Sequence, residues 1–303
     1  MKVGINLINF GPGATEDTML RWTRLGEALG YHLVMTSDHI AVTPDVTARY
    51  PAPFWEPFTT LGWLAAKARR IELGTTVIIV PYRHPLETAR MAAQIDRLCG
   101  GRFIFGIGVG WAKQEFEALG VPFEKRGAMT NEYLEAIKTC WTKETESFEG
   151  RFVRFRDVDT RPLPLRTPPI WVGGGSDAAM KRAVTHGDAW HPIRVKHSFL
   201  RESLPKLRKM ADEAKRPPPA LCPRMRLCLT EAPMPENTRV MGHGTLDQVR
   251  RDLASLMEMG ARYVLLDTSL SEDILATTNH EAAWAMLATL ADRVLDLPKE
   301  TLR

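Results

Sequence analysis

The sequence predicts a closed (β/α)8 TIM barrel with insertions after the fourth strand. Short β-branched runs alternate with longer amphipathic runs along the whole 303-residue chain. Alternation of this kind is typical of parallel strands joined by helices. Eight strand–helix units in a chain of this length favour a barrel, and an open doubly wound sheet is the alternative. We expect residues 1–303 to form a single barrel domain.

The first four units are predicted from hydrophobic periodicity and from glycine stop signals. Their strands are expected at residues 3–8, 32–37, 71–80 and 102–109, and their helices at 16–30, 58–70, 86–99, 113–119 and 130–143. Gly100 and Gly101 end the third helix, because glycine readily adopts the left-handed conformation that closes a helix. Phe148, Phe152 and Phe155 alternate around Gly150 and predict a hairpin insertion over residues 147–157.

The last four units repeat the pattern between proline-rich joints. Their strands are expected at residues 169–173, 188–193, 221–230 and 262–267, and their helices at 177–186, 197–215, 246–259 and 279–297. In a barrel of this kind the chemistry lies in the loops that follow the strands. The residues that follow the predicted strands are therefore the candidates for function.

Composition excludes several classes of protein. Hydrophobic residues make up 44% and charged residues 25%, as in an ordinary soluble globular protein. The longest apolar run covers only residues 103–112, whereas a membrane span needs about 20 residues. The net charge of +4 is not clustered, so no nucleic-acid partner is expected. Four scattered cysteines and the lack of a recognisable signal peptide predict a cytoplasmic protein, and no metal-binding motif occurs.

Two glycine-rich segments follow predicted strands. The run from Gly106 to Gly110 fails the dinucleotide-binding fingerprint, because Trp111 occupies the position of the third required glycine. Glycines there would let the backbone approach a flat ligand, although close strand packing is an equal alternative. Gly173-Gly174-Gly175-Ser176 opens a predicted helix and indicates a phosphate site, with helix capping by Ser176 as the simpler alternative.

Two titratable side chains also follow predicted strands. His39 comes after the second strand, where an imidazole can act as general acid or base, and its alternative role is hydrogen-bonded packing. Lys196 comes after the sixth strand, where it could form a Schiff base, and its alternative role is that of a solvated lysine.

Several segments together resemble the bacterial luciferase-like superfamily of flavin- and deazaflavin-dependent oxidoreductases. The segments are Ser37-Asp38-His39-Ile40, Leu73-Gly74-Thr75-Thr76-Val77, Pro81-Tyr82-Arg83-His84-Pro85, Asp96-Arg97-Leu98, Gly100-Gly101-Arg102-Phe103, Gly106-Ile107-Gly108-Val109-Gly110-Trp111, Glu115-Phe116, Pro169-Ile170-Trp171-Val172-Gly173-Gly174 and Gly187-Asp188-Ala189-Trp190. They occur in the family's order over residues 1–195, with a weaker match over 244–267. The Gly-Val-Gly-Trp turn and the following Glu-Phe are most similar to the branch that uses coenzyme F420.

The resemblance implies a role for each matched residue. It implies a cis peptide bond between Thr76 and Val77, behind the deazaflavin ring. It further implies that the ring is bordered by Gly108, Val109 and Gly110, that the cofactor phosphate is held by Gly173, Gly174, Gly175 and Ser176, that Asp38 orients the ring edge, and that His39 is the acid or base.

One position departs from a known member of this branch. The glucose-6-phosphate dehydrogenases carry a glutamate where Trp111 stands, which argues against sugar-phosphate oxidation and leaves His39 without its usual partner. The aromatic residues after strands indicate an apolar substrate, and the candidates for the substrate pocket are Phe10, Trp55, Trp111 and Trp190.

The sequence therefore predicts an oxidoreductase that transfers a hydride between coenzyme F420 and an unidentified organic small molecule. An FMN-dependent luciferase-like monooxygenase is the alternative. A non-redox barrel, either a Schiff-base lyase at Lys196 or a binding protein, is the second alternative. Dimers are common in the resembled family, so a homodimer is one option for its assembly.

Overall fold

The structure is a computed structural model that describes residues 1–269 and 280–303. Strands alternate with helices along the chain, as predicted. The strands are β1 Lys2–Asn6, β2 Leu33–Thr36, β3 Glu72–Thr75, β4 Ile78–Ile79, β5 Phe103–Gly108, β6 Thr145–Glu149, β7 Arg154–Asp159, β8 Ile170–Gly173, β9 Ala189–His191, β10 Ala220–Leu221, β11 Arg224–Arg226, β12 Cys228–Leu229, β13 His243–Gly244, β14 Tyr263–Asp267, β15 Leu295–Asp296 and β16 Thr301–Leu302. The helices are α1 Glu16–Leu29, α2 Pro44–Thr47, α3 Pro57–Ala65, α4 Pro85–Leu98, α5 Lys113–Ala118, α6 Arg126–Cys140, α7 Asp177–His186, α8 His197–Glu213, α9 Leu246–Glu258 and α10 His280–Arg293.

The main sheet is parallel and curled. Its strand order is β10-β9-β8-β5-β3-β2-β1-β14-β11, with β4 paired to β5. The two ends of this path, β10 and β11, are separated only by Cys222 and Pro223, so they belong to one stretch of chain. The predicted mixed α/β fold is confirmed, and the curled parallel sheet agrees with a barrel.

Local sequence signals explain where the first helix begins and ends. The Thr15 side chain accepts a hydrogen bond from the backbone N–H of Thr18, and the Thr18 side chain accepts one from the backbone N–H of Thr15, which forms a capping box. Gly30 closes α1 with a left-handed φ of 88°. These two signals place the helix within one residue of the predicted range.

Tertiary contacts shorten the second predicted helix and divide two predicted strands. The helix expected over 58–70 ends at Ala65, because the Glu27 carboxylate accepts the backbone N–H groups of Arg69, Arg70 and Ile71. The third strand divides into β3 and β4. The seventh strand divides into β10, β11 and β12. Pro223, which has no N–H to donate, lies between β10 and β11, and β12 leaves the main sheet to pair with β13.

The remaining predictions agree with the described part of the chain in outline. An antiparallel hairpin, β6 and β7, lies between α6 and β8, where residues 147–157 were expected to form one. The last helix begins at His280 and ends at Arg293, because the chain then pairs β15 with β16. Asn279, the predicted first residue of that helix, lies outside the described residues.

The space enclosed by the sheet has two chemically different levels. The inner apolar cluster is composed of Leu33, Met35, Ile104, Trp171, Ala189, Cys222, Tyr263 and Leu265. Closer to the carboxyl ends of the strands lies a buried polar layer, composed of Asn6, Thr76, His191, Arg224 and Asp267. Because the strands are parallel, their carboxyl ends meet at one edge, and the polar layer lies beneath that edge.

Candidate functional site

A cavity of about 350 Å³ opens at the carboxyl ends of the strands. This volume is within the range of small-molecule sites. Its lining comes from the segments that follow β2, β3, β5, β8, β9 and β10. The lining residues are Ser37, Asp38, His39, Arg49, Tyr50, Phe54, Thr76, Val77, Ile79, Gly108, Val109, Gly110, Trp111, Gly173, Gly174, His191, Ile193, Arg194 and Arg224.

The cavity brings together most of the residues that the sequence singled out. Those that line it are Asp38, His39, Thr76, Val77, Gly108, Val109, Gly110, Trp111, Gly173 and Gly174. The predicted residues that do not line it are Gly175, Ser176, Phe10, Trp55 and Trp190.

Gly175 and Ser176 have local partners next to the cavity. The Ser176 side chain caps α7 by accepting a hydrogen bond from the backbone N–H of Ala179, at 3.2 Å. A side chain added to Gly175 would approach the ring of Phe199 to 3.0 Å. The capping role that the sequence offered as the simpler alternative for Ser176 is therefore present.

The three other aromatic residues of the predicted substrate pocket have partners outside the cavity lining or behind it. Trp190 is fully buried and donates its indole N–H to the Gly174 carbonyl at 2.8 Å. Phe10 stacks on Phe54, with ring centroids 5.3 Å apart. The Trp55 indole N–H is bonded to a backbone carbonyl at 2.9 Å.

One part of the lining, which we call the glycine wall, consists of Gly108, Gly110, Gly173 and Gly174 around Val77. A Cβ atom on Gly108 would lie 2.6 Å from Val77 Cγ2, and one on Gly173 would lie 3.0 Å from Val77 Cγ1. Bare backbone is therefore required on both sides of Val77. The Thr76–Val77 peptide bond is cis, as the resemblance implies.

The polar layer supports Thr76 from below. Arg224 donates from Nη1 to the Thr76 carbonyl at 2.7 Å and is itself paired with Asp267. Asn6 donates to Oδ1 of the same aspartate at 3.0 Å. All these groups are buried. Thr76, the residue before Val77, is therefore connected through Arg224 and Asp267 to β14, and through Asn6 to β1.

His191 completes the polar layer as a neutral imidazole. Burial lowers the pKa of His191 to about 4. Its Nδ1 contacts the Cys222 carbonyl, which can only accept, so Nδ1 carries the hydrogen. Nε2 then accepts from the Thr76 hydroxyl at 2.9 Å. This histidine holds Thr76 and carries no charge at neutral pH.

His39, in contrast, is paired with a buried carboxylate. Its Nδ1 donates to Glu115 Oε2 at 2.6 Å, and Glu115 is completely buried on α5. Glu115 also accepts from the Tyr82 hydroxyl at 2.8 Å and from the backbone N–H groups of Ile40 and Ala41. His39 therefore has an acidic partner, which sequence reasoning did not assign although Glu115 belongs to the quoted Glu-Phe motif.

The charges around this pair keep its hydrogen bonds in a fixed direction. Burial and the Glu115 carboxylate both raise the pKa of Tyr82 well above its usual range, so the phenol stays protonated and donates. Asp38 is held separately, by two hydrogen bonds from Arg83 at 2.7 and 2.8 Å and one from the Ile79 N–H at 2.9 Å. The hydrogen bond to Glu115 thus orients the His39 ring through Nδ1. The second ring nitrogen, Nε2, is not part of this bond.

A second part of the lining, which we call the aromatic wall, surrounds His39. It consists of Tyr50, Phe54 and Trp111, whose ring centroids lie 5.4, 5.2 and 5.7 Å from that of His39. The sequence indicated only Trp111. Tyr50 and Phe54 lie in the connection between β2 and α3, where no periodic pattern separates them from an ordinary loop.

Other chemistries find less support in the described part of the chain. Lys196 is exposed at the start of α8 and does not line the cavity. Within residues 1–269 and 280–303, no group of three acidic, histidine or cysteine side chains could hold a metal ion. No helix in the same residues has the length and apolar character of a membrane span.

The fold and the cavity define an α/β protein with a small-molecule site at the carboxyl edge of a curled parallel sheet. A family model described as luciferase-like monooxygenase matches residues 1–239. Because this match covers well over half of the chain, the protein belongs to that family. Its members are oxidoreductases and monooxygenases, with F420-dependent and FMN-dependent relatives both present.

One curated relative is an F420-dependent glucose-6-phosphate dehydrogenase of Kineococcus radiotolerans, 33% identical over 186 residues, or 60% of this chain and 52% of that one. The chain covers 62% of the length of mycobacterial relatives that are 31% identical to it over 179 residues.

Two solved structures show the same fold. The coenzyme F420-dependent tetrahydromethanopterin reductase of Methanopyrus kandleri has a TM-score of 0.78, 16% identity and 99% coverage of both chains. The FMN-bound oxygenating constituent of 3,6-diketocamphane monooxygenase of Pseudomonas putida has a TM-score of 0.75, 16% identity, and coverage of 100% of this chain and 99% of that one.

Proposed function

We propose that this protein is an oxidoreductase that binds coenzyme F420 in the cavity and exchanges a hydride with an organic small molecule. The observation that carries the proposal is the combination of the glycine wall with the buried His39–Glu115 pair in one cavity. The four free cysteines support a cytoplasmic location. We also propose that residues 1–303 act as a single domain.

The residues present fit a flat cofactor that carries a phosphate. Gly108 and Gly173 leave backbone uncovered where a side chain would collide with Val77, which suits a planar ring lying against the wall. The residues that would hold the phosphate are Gly173, Gly174, Gly175 and Ser176. They precede α7, whose first two N–H groups, those of Asp177 and Ala178, would face an anion, whereas the third is bonded to the Ser176 side chain.

The bound deazaflavin would supply the hydride donor or acceptor, and the chain would supply position and a proton. His39 would give a proton to the substrate when the substrate gains a hydride, and take one in the reverse direction, through Nε2. Glu115 would hold the imidazole in the orientation that exposes this nitrogen. The aromatic wall would exclude water around the exchanged proton.

Two observations support F420 as the cofactor. The Gly-Val-Gly-Trp turn and the Glu-Phe that follows it resemble the F420-dependent branch, and the Kineococcus relative carries F420 dependence in its name. We do not propose its sugar-phosphate substrate for this chain, because Trp111 stands where those dehydrogenases carry a glutamate.

An FMN-dependent monooxygenase is the second candidate. A pyrimidine monooxygenase of Bradyrhizobium is 36% identical over 146 residues, which supports a monooxygenase reaction. A lyase reaction at Lys196 has no such support, since this lysine does not line the cavity.

Cofactor titration tests the proposal. The purified protein is titrated with oxidised coenzyme F420 and, separately, with FMN, and absorbance and fluorescence are followed. We expect F420 to bind more tightly than FMN. Preferential binding of FMN would favour the FMN-dependent monooxygenase and make oxygen uptake the next assay. Binding of neither cofactor would refute a redox function.

A second experiment tests the role of His39. Reduced F420 is mixed with the protein and a panel of small aldehydes, ketones and enones, and its reoxidation is followed. His39→Gln should lower the reoxidation rate by roughly 10² to 10⁴ and leave the F420 dissociation constant unchanged. His84→Gln, at an exposed histidine outside the cavity, is the matched control. Equal reoxidation rates in both variants would show that His39 has only a packing role.

A further inference from the structure

The cavity carries two arginines whose charges the proposed chemistry does not use. Arg49 and Arg194 both line it. Of the other charged residues in the lining, Arg224 is paired with Asp267, and Asp38 is paired with Arg83. Among the described residues, neither Arg49 nor Arg194 has a carboxylate within salt-bridge distance. The described residues of the lining therefore carry an excess of positive charge.

Arg49 packs against the aromatic wall. Its guanidinium carbon lies 4.4 Å from the centroid of the Trp111 ring. Trp111 is 37% exposed, so this stacked pair lies at the mouth of the cavity. The next residue in the chain, Tyr50, packs against His39. Trp111 therefore contacts both the Arg49 cation and His39, the proposed proton donor.

Arg194 has an unusual backbone conformation. Its φ of 55° is in the left-handed region, which residues other than glycine, asparagine and aspartate seldom adopt. Its side chain is exposed and lines the cavity. An uncommon backbone conformation at a cavity is a reason to examine the residue for a functional role.

We infer that the substrate is a flat apolar molecule that carries one anionic group, and that Arg49 and Arg194 bind this anion at the cavity mouth. The inference rests on the proposed function, because it concerns the substrate of that same site. Aromatic rings pack well against a planar apolar body. A planar guanidinium binds a carboxylate or phosphate through two parallel hydrogen bonds, and apolar walls focus the field of the two charges.

The same chemistry could serve an anionic group of the cofactor. We assign it to the substrate because Arg49 stacks on Trp111, within the wall that encloses His39. The residues proposed for the cofactor phosphate lie instead at the start of α7. The experiment below separates the two sources.

The test compares two probes that share shape and differ in charge, 2-naphthoate and 2-naphthamide. Both are titrated by calorimetry into protein saturated with the cofactor that binds. We expect naphthoate to bind at least about tenfold more tightly than naphthamide, the effect of one or two charged hydrogen bonds at a partly exposed site. Salt should weaken the binding of naphthoate and leave that of naphthamide unchanged.

Two variants connect this preference to the arginines. Arg49→Gln and Arg194→Asn should each weaken naphthoate binding about tenfold and change naphthamide binding less than about twofold. Asparagine is chosen at position 194 because it tolerates the left-handed backbone. Arg208→Gln, at an exposed arginine on α8 outside the cavity, is the matched control.

The outcomes separate this inference from the proposed function. Equal affinity of the loaded protein for both probes would overturn the inference and leave cofactor binding intact. The inference would also be overturned if the arginine variants weakened cofactor binding and left naphthoate binding unchanged, because the arginines would then bind an anionic group of the cofactor. Failure of both F420 and FMN to bind would overturn the proposed function itself, together with the substrate inferred from it.

Discussion

The two walls of the cavity are built in different ways. The glycine wall lies at the ends of β5 and β8 and rests on the polar layer, where Arg224 and His191 hold Thr76. The aromatic wall comes from the long connection between β2 and α3, together with Trp111 after β5. One wall is part of the sheet, and the other is carried by a loop that packs on the Phe10 ring and bonds to the backbone that follows β1.

This difference indicates which part of the cavity is suited to holding a flat ligand and which is suited to recognising a substrate. A flat ligand needs a rigid surface, which strand ends and buried hydrogen bonds supply. A loop can vary its side chains with little effect on the sheet, so it is suited to recognising the substrate. His39 lies three residues after the end of β2, contacts the aromatic wall and is fixed by Glu115 on α5.

The largest expected effect comes from removing the charge of Glu115, which holds His39 beside the aromatic wall. Glu115→Gln removes a buried carboxylate that accepts hydrogen bonds from His39, Tyr82 and two backbone N–H groups. The free energy of unfolding should fall by about 3 kcal/mol, and reoxidation of F420 should slow in the fraction that folds. Urea unfolding and the panel assay measure both.

Tyr82→Phe is the matched variant, since it removes one donor and keeps the carboxylate. Its unfolding free energy should fall by about 1 kcal/mol, with the F420 rate retained. If both variants lost the same activity, His39 would not depend on the charge of Glu115.

The second effect concerns the support of the glycine wall and depends on pH. The folded-state pKa of His191 is about 4, below the value of 6.5 for the unfolded chain. The unfolded state therefore binds more protons between pH 6.5 and pH 4, and stability falls as the pH is lowered through this window. His191→Gln should remove about 3 kcal/mol of this pH dependence. Urea unfolding at several pH values measures the slope.

His186→Gln provides the comparison. Burial lowers the pKa of His186 to about 4 as well, but this histidine lies on α7 outside the cavity. Both variants should flatten the pH dependence of the unfolding free energy, and only His191→Gln should weaken cofactor binding. A cofactor affinity lowered equally in both would argue against a special role of the polar layer.

The third effect tests the close approach within the glycine wall. Gly108→Ala places a methyl group 2.6 Å from Val77 Cγ2, so Val77 must move. Overpacking of this kind costs about 2 kcal/mol, which would raise the cofactor dissociation constant roughly thirtyfold. Gly62→Ala in α3 is the control, because no atom lies within 4 Å of its new methyl group. Wild-type affinity in Gly108→Ala would exclude a ring at this wall.

The smallest effect separates capping from phosphate binding at Ser176. Ser176→Ala removes the acceptor for the Ala179 N–H and should lower the unfolding free energy by about 1 kcal/mol. If the hydroxyl also donates to the cofactor phosphate, F420 affinity falls in Ser176→Ala and is retained in Ser176→Thr. Unchanged affinity in both would restrict Ser176 to the cap.

The glycine wall could be predicted because glycine at the end of a strand is a local signal. The partner of His39 could not, since Glu115 lies 76 residues away and its pairing is a tertiary contact. Trp190 was misplaced for a simpler reason. Side chains alternate along a strand, and His191 takes the position facing the cavity, so Trp190 packs on the other face against Phe199.

The aromatic wall has an evolutionary consequence. His39, Arg49, Tyr50 and Phe54 all lie within residues 39–54, so one short stretch of the gene encodes the proposed proton donor and much of the proposed substrate contact. Mutation or recombination confined to this stretch changes the aromatic side of the cavity. The glycine wall and the polar layer are encoded elsewhere and are inherited unchanged.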